Sequence, residues 1–149
     1  MGDNQNGGTV MPIKCGPANK EEWLEVAEAR SRDAKTLKDS PLCAIAAVYM
    51  AGYAVESSLK AYCVQQNKSN TWRGASGHNL KSIWKESGLR LSDMNDHDGT
   101  RTFFLEEWST DLRYCSKFDF IHSTGDLIEA SNKLKGFINQ RIKRNPRRN

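Results

Sequence analysis

The residues best placed to do chemistry stand one helical turn apart. Glu56 and Lys60 follow a long apolar stretch, and an acid in such surroundings is costly unless it is paired. Arg113, followed by Tyr114, is the candidate cation, because Phe104, Trp108 and Leu112 recur every four residues and set its helix against the core. Three readings of Glu56 stay open. The pair with Arg113 fixes helix register, or Glu56 leans to solvent and pairs with Lys60, or Arg113 and Tyr114 face a cleft or dimer seam where they meet a phosphate. A second group lies in a polar loop, where Trp72 and Arg73 can stack on and grip a nucleotide. Trp72 can equally cover the core. His78 follows closely, where its ring can satisfy a backbone amide at a helix start or pack on Trp84.

The last nine residues carry a third group, Arg141, Lys143, Arg144, Arg147 and Arg148, with no acid among them. Such a tail suits a phosphate backbone through counterion release, and it equally serves as a solvated terminus. Metal chemistry has little support. Cys15, Cys43, Cys63 and Cys115 form no C-x-x-C pair, and His78, His97 and His122 lie far from one another in sequence. No metal and no cofactor are expected.

These residues need elements to hold them. With 149 residues, 38% of them hydrophobic and 27% charged, the chain suits one domain with a single core. Residues 1–18 hold four glycines and two prolines without periodicity and read as a flexible arm. Five helices are expected over 19–38, 41–66, 79–88, 100–116 and 124–142, the bundle domain spanning 19–142 and the basic tail 143–149. Asn19 with Glu22 and Ser123 with Asp126 mark two starts, and Ser40-Pro41 marks a third. The stretch from Leu42 to Val55 is apolar or small all round, so helix two is the enclosed central element. Ile45, Val48, Leu59, Trp108 and Leu134 are expected in the core. The fold class is all-α, a compact four- to five-helix, up-and-down bundle. No apolar run reaches the roughly 18–20 residues of a membrane span, nothing marks the chain for export, and the scattered cysteines suit reduced thiols in a cytoplasmic protein.

Three stretches, residues 51–62, 77–84 and 107–114, together resemble a HEPN domain, the family named for nucleotide binding in higher eukaryotes and prokaryotes. The resemblance covers roughly residues 20–140, and its order of elements agrees with the five helices. It implies a four- or five-helix bundle that pairs with a second copy. Many members are metal-independent ribonucleases, among them toxins and antiviral effectors, whereas others are inactive partners of nucleotidyltransferases. The ribonuclease members carry an Arg, four to six residues, then a His, in which His moves a proton while Arg holds the scissile phosphate. This chain departs from that pattern, because eight residues separate Arg113 from His122 in the expected region. Arg73 and His78, with four between, and Arg90 and His97, with six, fit the count but flank helix three. The resemblance therefore implies a dimeric module that binds RNA, a nucleotide or a protein partner, with a ribonuclease using Arg73/His78 or Arg113/His122 as the alternative.

Overall fold

Every α-helix but the second begins where a short polar side chain takes up free backbone N–H groups. In the computed structural model, which describes residues 16–68, 72, 77–117 and 119–144, only helices and turns occur among the described residues. Helix α1 spans Lys20–Leu37, its start capped by the Asn19 side chain, which accepts from Glu22 N at 2.9 Å, while Glu22 Oε2 accepts from Ala18 N. A 3-10 turn over Pro41–Cys43 leads into α2, Ala44–Gln65. Asn79 caps α3, Leu80–Ser87, and Gly88 closes it at φ +77°, a left-handed conformation that favours glycine. Asp96 and Asp98 hold the first turn of α4, Thr100–Glu106, through Thr100, Arg101 and Thr102. Ser123 Oγ accepts from Asp126 N at the head of α5, Thr124–Arg144.

Helix α2 is the axis, with α1 and α5 as its principal neighbours and α3 and the 110–114 segment closing the remaining sides. Small side chains make the α1 contact possible: Ala27 and Ala34 are buried on one side, Ala47, Ala51 and Ala54 on the other. Helix α5 contributes Leu127, Leu134 and Ile138, all fully buried. Of the expected core residues, Val48, Leu59, Trp108 and Leu134 are buried, whereas Ile45 is half-buried. Burial pushes the Cys63 thiol up to about 11, which makes it a packing group rather than a nucleophile at neutral pH.

Three expectations need correction. The fourth helix does not run from 100 to 116. It ends at Glu106, and Ser109 starts a 3-10 turn over Thr110–Tyr114 by accepting from Asp111 N. The start of helix two is not enclosed, since Leu42 is 97% exposed and residues 43–46 are half-buried. Pro41–Gln65 is, by length and composition, apolar enough to cross a membrane, although no single apolar run in it is that long. It is the helix around which the bundle packs, and 56% of its most apolar window is buried. Finally, α5 continues to Arg144, so Lys143 and Arg144 belong to a helix rather than to a tail.

The break before Ser109 serves one packing event. The Trp108 indole lies flat against the backbone of Gly52 and donates from Nε1 to the Val48 carbonyl at 3.1 Å. A Cβ on Gly52 would fall 1.9 Å from the indole, well inside any real contact. Gly52→Ala should therefore destabilise the protein by about 3 kcal/mol through overpacking, and Trp108→Ala by about 3–5 kcal/mol. In denaturant melts the double variant should be no less stable than Trp108→Ala alone, because the alanine then enters empty space. Additive losses would show that the indole does not rest on Gly52.

Candidate functional site

Glu56 and Lys60 lie on the same face of α2, and both are buried, at 2% and 3% exposure. Lys60 Nζ donates to Glu56 Oε1 at 2.9 Å. The rest of the ammonium faces aromatic rings, with Trp23 of α1 at 4.9 Å and Trp72 at 5.3 Å to the ring centroids. The two indoles meet edge-on at 6.0 Å. This arrangement replaces water by a carboxylate and two π faces, the surroundings that a desolvated ammonium tolerates.

His78 completes the group. Its Nδ1 stands 3.0 Å from the same Oε1. A carboxylate only accepts, so Nδ1 carries the proton and Nε2 is the free nitrogen of the neutral ring. The His78 side chain is 44% exposed, whereas the carboxylate it touches is not. Its ring packs edge-on against Tyr53 at 5.7 Å, and Tyr53 packs in turn on Trp108 and shares a hydroxyl contact with Tyr49. Burial first, then Tyr49, pushes the Tyr53 phenol far above its usual range, so it stays protonated.

All the hydrogen bonding falls on one carboxylate oxygen. Glu56 Oε2 is buried and has no hydrogen-bond partner among the described residues. The residue lines a cleft of about 550 Å³ between α1 and α2, walled by Trp23, Val26 and Ala29 on one side and by Tyr53, Ser57 and Lys60 on the other, with His78 at its edge. The volume suits a small organic molecule. His78 also borders a second hollow of about 280 Å³, next to Trp108 and Ser109.

The expected partnership of Glu56 with Arg113 is not formed. Lys60, at i+4 on the same helix, reaches the carboxylate without help from another element. Arg113 belongs to the 3-10 turn beyond the break, is exposed, and stacks on Tyr114 at 4.8 Å. The Tyr114 hydroxyl first, then Tyr49, raises the Arg113 pKa further. Tyr114 is itself 76% exposed. His122 neighbours Asp98 at the head of α4, adding a small pull to the Thr100 hydrogen bonds that hold that carboxyl below its usual value. Arg113 and His122 therefore belong to separate surroundings. His78 neither caps α3, which Asn79 does, nor rests on Trp84. His97 lines a polar hollow with Asp98 and Arg101. Arg90 pairs with Asp93, and so does Arg141, which also lies over Phe137. Lys143 and Arg144 are exposed. Arg73, Arg147, Arg148 and Cys15 lie outside the described residues. Among the described residues no three His, Cys, Asp or Glu side chains are grouped as a metal would require.

Two residues of the site, Trp23 and Tyr53, carry no signal in the sequence beyond their place in apolar helix faces.

Removing one member of the buried pair leaves an isolated charge. Lys60→Met should destabilise by about 3–5 kcal/mol, and Glu56→Leu added to it should recover most of that loss. A Lys60→Met protein with an unchanged denaturation midpoint would show that Glu56 is not held by Lys60. Comparison with protein-family models, with curated proteins and with solved structures finds no match to this chain, so the geometry of Glu56, Lys60 and His78 is what speaks for its function.

Proposed function

We propose that this chain is a HEPN-type helical binding module that seats the base of a nucleotide, free or within single-stranded RNA, in the cleft between α1 and α2. One observation carries the reading: Glu56 is buried in the wall of a cleft of suitable volume, held through one oxygen by Lys60 and His78, with its other oxygen left without a partner. A buried acceptor without a partner costs about 1–3 kcal/mol. A ligand N–H offsets that cost, and the Trp23 and Tyr53 rings give a planar base apolar surface to lie on. In RNA the backbone stays outside the cleft, with the basic end of α5, Lys143 and Arg144, as a place for phosphates to rest.

A second reading has an observation of its own. The contact from Glu56 to Nδ1 leaves Nε2 as a proton acceptor near solvent, the orientation a general base needs. In a ribonuclease Nε2 would take the proton of a ribose 2′-hydroxyl, whose oxygen attacks the adjacent phosphorus and expels the 5′-oxygen. Of the two sites the resemblance implies, this reading keeps His78 and drops the Arg113/His122 pair.

Both are tested with the purified chain in EDTA. Titration with nucleosides, nucleotides and short single-stranded RNA should quench the fluorescence of Trp23 and Trp72 to saturation, and Glu56→Gln should weaken binding by about tenfold or more. Absence of saturable binding by every one of these compounds overturns the first reading. Cleavage of mixed RNA that His78→Ala abolishes and His122→Ala leaves intact establishes the second, and intact RNA excludes it.

A further inference from the structure

Charge around the cleft is unevenly committed. Two cations line it: Lys60 holds Glu56 at 2.9 Å, and Arg30 Nε stands 2.8 Å from the half-exposed Asp33 Oδ2 without a hydrogen bond of good geometry, so Arg30 is only partly neutralised. The acids of the cleft are freer. Glu25 is exposed and enters no ion pair among the described residues, Glu22 accepts only the Ala18 N–H, and Glu56 keeps one oxygen unpartnered. The head of α1 offers no compensating anion site, because the Asn19 side chain occupies the Glu22 N–H and Glu21 and Glu22 fill the first turn. The cleft thus presents acceptors and negative charge around an aromatic wall.

From this juxtaposition of a buried, unpartnered carboxylate oxygen with an acidic, aromatic-walled cleft, we infer that the site selects planar bases bearing an exocyclic amino group, and takes the nucleoside in preference to its 5′-phosphate. The inference rests on the proposed base-binding role of the cleft and narrows it. An amino group of cytosine, adenine or guanine gives Glu56 Oε2 the donor it lacks. Uracil places a carbonyl oxygen where cytosine has its amino group, so two acceptors face each other and the contact fails. Ribose hydroxyls are donors that Glu22 and Glu25 accept, whereas a phosphate meets three carboxylates lining the cleft against two cations, Lys60 bound to Glu56 and Arg30 beside Asp33.

Calorimetric titration of the intact chain separates the possibilities. Cytidine should bind about tenfold or more tightly than uridine, a discrimination typical of one lost hydrogen bond. Adenosine should bind more tightly than AMP at low salt, and the gap should shrink as salt is raised. The Glu22→Gln, Glu25→Gln double variant alters only exposed side chains and should bring AMP close to adenosine while leaving the cytidine preference intact. Free adenine, run as a further arm, reports whether the ribose adds affinity, and adenine binding as tightly as adenosine would overturn the role given to Glu22 and Glu25. Equal binding of cytidine and uridine, or AMP at or above adenosine, overturns this inference while leaving the base-binding role standing. If no base, nucleoside, nucleotide or RNA binds, both fall together. The cytidine–uridine comparison needs no substitution at Glu56, so it stands even where Glu56→Gln fails to fold.

Discussion

A buried ion pair within one helix governs much of this structure. Two charges taken out of water each lose several kcal/mol of hydration, and their mutual attraction compensates only when the remaining protons and lone pairs are also cared for. Glu56 and Lys60 sit on the central helix at 2–3% exposure, so the surrounding elements have to supply that care. Helix α1 brings Trp23 over the ammonium, and the connection from α2 to α3 brings Trp72 to a second face and His78 to the carboxylate. Trp72 and His78 are thus tied to the pair, and α1 is docked on it through Trp23.

The core reinforces the same region from the opposite end. Trp108 occupies the space that Gly52 leaves open and presses on Tyr53, which presses on His78, which holds Glu56. This row of contacts runs from the broken fourth helix to the cleft. It explains why the fourth helix breaks where it does: the indole has to lie against α2 and donate to Val48, and Ser109 restarts the chain immediately afterwards with a side-chain cap. Each ring of the row meets its neighbour edge-on, the arrangement that aromatic quadrupoles favour.

Much of this fold was legible in the sequence, for reasons that differ by element. The capped starts of α1 and α5 and the left-handed glycine after α3 are local signals, and they hold because nothing distant competes with them. The four-residue spacing of Phe104, Trp108 and Leu112 correctly marked three buried residues but misjudged their backbone, since a 3-10 turn keeps the same side facing inward. Glu56 announced that it needed a cation. That cation is Lys60, the i+4 neighbour the sequence left open as one partner, while the unbroken helix expected through residue 116 aimed Arg113 at the wrong place. Leu42 misled in the opposite sense, because an apolar run records composition and not which neighbours arrive to cover it.

The asymmetry of the Glu56 carboxylate is the point at which structure and function meet. A carboxylate held purely for stability gains most when both oxygens accept, because each unmet lone pair in a low-dielectric site carries a desolvation cost. Here Lys60 and His78 crowd onto Oε1 while Oε2 has no hydrogen-bond partner among the described residues, although Ser57 and Tyr53 lie close by along the same cleft. His78 adds its contact to the oxygen that Lys60 already holds. Its position on Oε1 leaves a fixed acceptor whose orientation is set by an ion pair, an imidazole and two indoles before any ligand arrives. Such an arrangement costs stability in the empty protein, and under the proposed base-binding role it reduces what a ligand must reorder on binding.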